Sequence, residues 1–110
     1  MKKLVLALLF VLSASVNAGN QTGTVDYIIV RASDGLIYFT LKGGSLNSRP
    51  SCATIGYWMI RDENSNVGKQ QYSMILSAHA SGKTVQVTGS NTCIRWGDGE
   101  DVNAIKILNP

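Results

Sequence analysis

The sequence has few of the residues from which catalytic and metal sites are most often built. It contains one histidine, His79, and two cysteines, Cys52 and Cys93, at wide spacing. Two thiols and one imidazole so far apart do not supply the compact ligand set that a bound metal requires. A general base such as His79 would also need a nucleophile and an orienting acid beside it. The sequence therefore predicts a non-enzymatic protein with no catalytic residues, no metal and no cofactor.

A basic cluster is also absent. The formal net charge is +3, from ten Lys and Arg against seven Asp and Glu. Two of the ten, Lys2 and Lys3, lie in a segment that the sequence predicts to be removed, and without them the chain is close to neutral. Nucleic-acid binding needs a patch of Lys and Arg. Nucleic acid is therefore not an expected partner.

No apolar run is long enough for a membrane anchor. The run from Leu4 to Leu12 ends at Ser13, whereas a spanning helix needs about 18 or more apolar residues. A basic start, a short apolar run and small residues up to Ala18 are typical of a secretory signal peptide. The sequence predicts a signal peptide over residues 1–18, cleaved near Ala18, and a single domain over 19–110. The protein would then be exported, either to a periplasm or to the exterior.

One pair of cysteines in an exported chain indicates one disulfide, between Cys52 and Cys93, formed in an oxidising compartment. A small domain has a slim margin of stability over chain entropy, so such a bond matters. Closing a loop of roughly 40 residues is worth about 4 kcal/mol on the chain-entropy account.

The first half of the domain favours strands. The segments VDYIIVRA (25–32) and LIYFTLKG (36–43) flank a short breaker, which is typical of an antiparallel hairpin. The second segment alternates, with one face formed by Ile37, Phe39 and Leu41 and the other by Leu36, Tyr38, Thr40 and Lys42. A third strand is predicted over 52–62, with one face formed by Cys52, Thr54, Gly56, Trp58 and Ile60.

The second half contains one predicted helix, over 67–81. Capping residues precede it at 62–66, Gly82 ends it, and its predicted buried stripe is formed by Tyr72, Ile75, Leu76 and His79. The segment 83–89 alternates as a fourth strand, 97–101 is predicted as a polar loop, and 102–108 as the last strand. The order β-β-β-α-β-β predicts a mainly β fold with one helix and one disulfide, a five-stranded OB-like Greek-key barrel. The alternative is an open α+β sheet with the helix packed across it.

Two motifs invite a functional interpretation that their context does not favour. Gly82-Lys83-Thr84 ends like a phosphate-binding loop, but it follows a helix instead of starting one, where carbonyl groups would repel phosphate. We therefore expect no nucleotide. The segment 98–103 is acidic, yet it lacks the register of a calcium loop and is predicted to be a solvated turn.

The two tryptophans are the candidates for ligand binding. Trp96 lies beside the polar loop and close to Cys93, where an aromatic face could stack on a sugar ring while Asp98 supplies polar contacts. Trp58 is the second aromatic candidate, although packing in the core is the alternative for both tryptophans. The candidate ligand-binding residues are thus Trp96, Asp98 and Trp58.

A resemblance to a known family lies in the hairpin, in the segment YWMIRDENSNVGKQQYSMILSAHASGKTVQVTGSNTCIRW (57–96) and in the spacing between them. In these features the chain resembles the small exported B subunits of bacterial A–B toxins, most nearly the subtilase cytotoxin B subunit. The resemblance implies an OB-like barrel, a ring of five identical chains, recognition of a glycan or cell-surface receptor, and a separate catalytic subunit. The disulfide placement and the acidic loop depart from that pattern, and no glycan-binding motif matches residue by residue. The alternative is a periplasmic structural or protein-interaction factor.

Overall fold

The computed structural model of this protein describes residues 18–109. Residues 1–17 of the predicted signal peptide lie outside the described residues. The elements follow the predicted order, and their bounds are β1 (Asn20–Val30), β2 (Ile37–Lys42), β3 (Trp58–Met59), α1 (Asn66–Ser81), β4 (Thr84–Gly89) and β5 (Glu100–Ile107). Within the described part of the chain, no helix is long and apolar enough to cross a membrane.

The five strands form a closed barrel in the order β1-β2-β3-β5-β4. The long strand β1 pairs antiparallel with β2 through one part of its length and with β4 through the other. The pairs β2–β3 and β4–β5 are antiparallel, whereas β3–β5 is parallel. The closed barrel excludes the open sheet that the sequence left as an alternative. The name OB-like Greek-key barrel stays an interpretation of this strand order.

Alternating apolar residues fill the barrel as the sequence predicts. Ile37, Phe39 and Leu41 of β2 are buried, as are Val85 and Val87 of β4. The core also takes in residues from the other strands, from the helix and from the position after β3, namely Val25, Trp58, Ile60, Ile75, Ala78 and Val102. The helix therefore contributes directly to the barrel core, and it packs against β1 and β5.

The third strand is much shorter than the predicted segment 52–62. Only Trp58 and Met59 are paired, with β2 on one side and β5 on the other. The guanidinium of Arg49 donates to the backbone carbonyls of Ile55 (2.6 Å) and Tyr57 (2.8 Å). These carbonyls consequently bond to a side chain, and the segment before Trp58 is irregular.

The helix boundaries agree with the sequence, but the buried stripe agrees only in part. Ser65 caps the N-terminus, and Gly82 ends the helix at φ 67°, in the left-handed region that glycine favours. Leu76 is 43% exposed and His79 is exposed as well, whereas the buried residues are Gly68, Gln71, Ile75 and Ala78. The predicted stripe is therefore right for Ile75 and for Tyr72, which packs partly buried against the core, and wrong for Leu76 and His79.

The predicted disulfide is confirmed. Cys52 and Cys93 are bonded, with their Cα atoms 6.2 Å apart, and the described residues contain no free cysteine. Cys52 precedes β3, and Cys93 precedes β5. The bond therefore joins the two segments that lead into the parallel strand pair of the barrel.

Candidate functional site

An open cleft of about 240 Å³ lies on the outer side of the barrel, beside the segment that leads into β5. We call it the aromatic cleft, and its lining residues are Arg31, Leu36, Tyr38, Tyr57, Met59 and Trp96. Leu36 and Met59 are almost completely buried, although neither belongs to the barrel core. They form an apolar floor for the cleft on the side of the sheet that faces away from the core.

The alternation of side chains along β2 and β3 explains the position of Met59 in the floor and of Tyr38 in one wall. Because Phe39 and Trp58 point into the barrel, their neighbours Tyr38 and Met59 point outward. Tyr38 and Met59 are also directly opposite each other in the β2–β3 pairing. Two residues from adjacent strands therefore meet on the outer face.

Two more aromatic side chains complete the walls. The rings of Tyr38 and Tyr57 have centroids 5.2 Å apart and an interplanar angle of 51°, an arrangement common for aromatic pairs. Trp96 is 38% exposed, and the guanidinium carbon of Arg31 lies 4.4 Å from the centroid of its ring. This distance is within the range of a cation–π contact. The cleft thus has three aromatic walls and one cationic edge.

The hydroxyl of Tyr57 donates a hydrogen bond to the carboxylate of Asp98. Burial, together with this bond to an anionic acceptor, raises the pKa of Tyr57 to about 12. Tyr57 therefore remains protonated at neutral pH, and its hydroxyl is fixed toward Asp98. A carboxylate has more lone pairs than this one bond uses.

The charged groups at the rim are locally balanced. Arg31 donates to the carboxylate of Asp34, and the backbone N–H of Leu36 donates to the same group (3.0 Å). These bonds, that of Arg31 first, lower the pKa of Asp34 to about 2. Arg95 pairs with Glu63 (2.9 Å) and also donates to the backbone carbonyl of Asp34 (3.0 Å). The segment carrying Trp96 is thereby tied to the turn between β1 and β2.

Of the three residues that the sequence proposed for binding, Trp96 lines this cleft, and Asp98 does not line it but accepts the hydrogen bond of Tyr57, which does. Trp58 has a relative exposure of 0%, and its indole N–H donates to the side-chain carbonyl of Gln21 (2.9 Å). Arg49 covers its ring, with the guanidinium carbon 4.5 Å from the centroid. Trp58 is accordingly a core residue and presents no surface to a ligand.

The sequence did not identify Arg31, Tyr38 or Tyr57 as binding residues. The alternation of β2 predicts that Tyr38 points outward, and this was the one sequence signal for its place in the cleft. Tyr57 depends on the irregular segment before β3, and Arg31 depends on its distance from Trp96 across the fold. No local pattern gives either contact.

The acidic segment 98–103 is not a solvated turn. Glu100 and Asp101 both have a relative exposure of 0%, and both belong to β5. Glu100 bonds to backbone N–H groups and to Arg49, while Asp101 bonds to Thr92 and the backbone that follows it. The prediction was wrong for these two residues because both carboxylates accept hydrogen bonds inside the fold. The donors to Asp101 lie six to nine residues before it, whereas Glu100 also bonds to Arg49 and Gly19, 51 and 81 residues away.

His79 and the carboxylates lie in different surroundings. The ring Nδ1 of His79 is 3.3 Å from the backbone oxygen of Val25, near the C-terminal end of α1. None of the hydrogen bonds of Asp98, Glu100 or Asp101 in the described structure involves His79. Among residues 18–109, no group of three or more His, Cys, Asp and Glu side chains could hold a metal ion.

A second hollow, of about 220 Å³, lies near the start of α1 and is lined in part by Arg61, Ser65, Gln71 and Asn103. Ser65 caps the helix, and the amide of Gln71 donates to the backbone carbonyl of Asn103 (2.9 Å). The lining contains no aromatic side chain. The aromatic cleft is therefore the stronger candidate site.

Comparison of the chain with protein-family models, with curated proteins and with solved structures gives no match.

Proposed function

We propose that this protein is an exported, non-enzymatic binding module that recognises a carbohydrate or another cell-surface ligand through the aromatic cleft. The observation that carries the proposal is the cleft itself, in which Tyr38, Tyr57 and Trp96 surround an apolar floor. Arg31 lines the cleft as well, and Asp98 bonds to the hydroxyl of the lining residue Tyr57. A concave apolar site with a few oriented polar groups is the general form of a small-molecule site.

A sugar ring suits this chemistry because it has an apolar C–H face and a polar edge of hydroxyl groups. An aromatic wall can stack on the first, and fixed charged groups can hydrogen-bond to the second. The cleft volume of about 240 Å³ is below the range of about 300–1,000 Å³ for drug-sized ligands. The cleft therefore suits a single ring, held at the end or side of a longer glycan.

The larger assembly is part of the same proposal. The closed barrel with one helix is compatible with the OB-like barrel that the resemblance to toxin B subunits implies, whereas the disulfide departs from that pattern. From that resemblance we propose an OB-like chain that assembles into a ring of five and accompanies a separate catalytic subunit. Light scattering on the exported protein tests the oligomer, and a strict monomer would contradict this part.

The binding role is tested by a glycan array followed by titration of the best-bound glycan. We expect Trp96→Ala to weaken binding by about 2 kcal/mol, roughly 30-fold in Kd, because it removes an aromatic anchor. Ile94→Ala is the matched control, since Ile94 lies in the same segment, is 66% exposed and does not line the cleft. It should leave the Kd within about twofold.

An array without signal, or equal effects of the two substitutions, would contradict a glycan site in the cleft. The alternative is a periplasmic structural or protein-interaction factor, which the exposed side chains of Leu46, Ile55 and Ile94 favour as apolar contacts. Recovery of one stoichiometric protein partner from envelope extracts, uncompeted by sugars, would support that alternative.

A further inference from the structure

The buried carboxylate of Glu100 binds the backbone at the start of the described chain. Its Oε2 atom accepts from the backbone nitrogens of Gly19 (3.0 Å) and Asn91 (3.0 Å). Its Oε1 atom is 3.4 Å from Nε of Arg49. The Glu100 side chain is completely buried, and Gly19 is buried as well.

The charges at this place are not balanced. Glu100 and its neighbour Asp101 are both completely buried, whereas the one buried cation in contact with either of them in the described structure is Arg49. The remaining partners of the two carboxylates are neutral N–H and O–H groups. A buried charge without an opposite charge is costly, so a second cation would stabilise this region.

Gly19 is held so closely that any side chain at this position would displace Glu100 or Arg49. A Cβ atom at this position would lie 2.1 Å from Oε1 of Glu100 and 2.7 Å from Cγ of Arg49. Its carbonyl accepts from the backbone N–H of Gly89 (2.8 Å), which fixes the residue on its other side. Gly19 is also the first residue after Ala18, where the sequence predicts cleavage of the signal peptide.

We propose that leader cleavage after Ala18 creates an N-terminal ammonium on Gly19 that forms a buried ion pair with Glu100 and completes the charge balance of the barrel. In the reaction, catalysed by a leader peptidase, water breaks the Ala18–Gly19 peptide bond. The hydroxyl of the water goes to the carbonyl carbon of Ala18 and its hydrogen to the nitrogen of Gly19; the new carboxyl group then releases a proton and the amine takes one up to become an ammonium. The nitrogen that donates one hydrogen bond as an amide then carries a positive charge at the same position.

This inference is independent of the aromatic cleft. It concerns the folded stability of the exported chain, and it would hold whichever ligand the protein binds. It also gives Glu100 and Gly19 a role that the ligand site does not require.

The first test compares two exported chains made from the full precursor. One is the natural sequence, and the other has Ser-Thr inserted between Ala18 and Gly19, so that the ammonium is displaced by two residues. Mass spectrometry establishes each N-terminus. Denaturant unfolding should give an unfolding equilibrium constant at least tenfold larger for the insertion variant, which is about 1.4 kcal/mol.

The same pair of chains is then made with Glu100→Gln and, as a matched control, with Glu63→Gln. Glu63 pairs with Arg95 at the surface and is remote from Gly19 in the described contacts. The tenfold difference should fall below about threefold with Glu100→Gln and should persist with Glu63→Gln. An undiminished difference in the Glu100→Gln chains would overturn the ion pair.

A measurement on the unsubstituted protein keeps the test decisive if Glu100→Gln does not fold. Acetylation of the α-amine at neutral pH should be at least tenfold slower in the natural exported chain than in the insertion variant, because the paired ammonium is buried. Equal acetylation rates, equal stabilities or an exported chain that begins at a residue other than Gly19 would each overturn the proposal.

Discussion

Asp101 shows how one buried side chain organises a segment that carries the candidate site. Its carboxylate accepts from the hydroxyl of Thr92 (2.6 Å) and from the backbone nitrogens of Ile94 (2.8 Å) and Arg95 (3.1 Å). A carboxylate satisfied by several fixed donors holds their backbone in place. These bonds fix the chain immediately before Trp96, so that the aromatic wall depends on a residue outside the cleft.

Tyr57 gives a prediction about pH at the same scale. Its pKa of about 12 in the folded protein is above the value of about 10 for an unfolded chain. The protonated hydroxyl therefore contributes stability that is complete below pH 10 and is lost as the pH rises from about 10 toward 12. The absorbance of tyrosinate, recorded as the difference between wild type and Tyr57→Phe, should show a step near pH 12. A step at or below pH 10 would contradict the bond to Asp98.

Among the elements, the helix shows why a periodic pattern can indicate the right element and the wrong face. Gly68 lies so close to the preceding loop that a Cβ would be 1.8 Å from the carbonyl oxygen of Asp62. Gln71 is buried because its amide donates to the backbone of Asn103. A glycine and a glutamine thus mark the inward face, and hydrophobicity alone assigned that face to Leu76.

This orientation predicts unequal effects of two neighbouring helix substitutions. Ile75→Ala should lower the free energy of unfolding by about 2–5 kcal/mol, because Ile75 is 1% exposed and its loss leaves a cavity in the core. Leu76→Ala should change it by about 0.5 kcal/mol, since Leu76 is 43% exposed and alanine is a good helix former. Denaturant unfolding distinguishes the two, and similar losses would mean that the helix faces the barrel as the hydrophobic stripe predicted.

For the molecule as a whole, the disulfide lies next to the strand pair β3–β5, which closes the barrel. The parallel pair β3–β5 consists of two residue pairs, Trp58 with Glu100 and Met59 with Asp101. The bond between Cys52 and Cys93 joins the segments that precede these strands. The covalent link therefore reinforces one of the two shortest seams of the barrel, the other being β2–β3.

Loss of this link should be costly. Cys93→Ser, or wild type under strong reductant, should lose about 2–5 kcal/mol of unfolding free energy in denaturant, since the bond closes a large loop. The substituted and the reduced chains should agree within about 1 kcal/mol. Two reactive groups in a thiol titration of the native protein would contradict the pairing.

The order of elements, the face of β2 and the disulfide were predictable because they depend on local alternation, on helix caps and on the number of cysteines. The central residues of the strands were predictable for the same reason. The burial of Glu100 was not, because its compensating partner Arg49 is 51 residues away in the sequence. The length of β3 was not either, because the guanidinium of Arg49 binds carbonyls that a strand would otherwise use.

The candidate site was only half predictable, again because some of its contacts join residues that are distant in the sequence. Trp96 and Asp98 lie in one polar segment and could be proposed together, whereas Tyr57 joins them through a hydrogen bond across 41 residues. Trp58 and Tyr57 are adjacent in the sequence but on opposite sides of the sheet. A one-residue difference in register decides which aromatic ring faces the solvent.

The position of the disulfide has a consequence for when the protein acquires its ligand site. Tyr57 and Trp96 lie five and three residues beyond the two bonded cysteines, on the very stretches that the bond holds together. A newly made chain that has not yet met an oxidant would have these two rings on untethered ends. The aromatic cleft would then be complete only after the disulfide has formed.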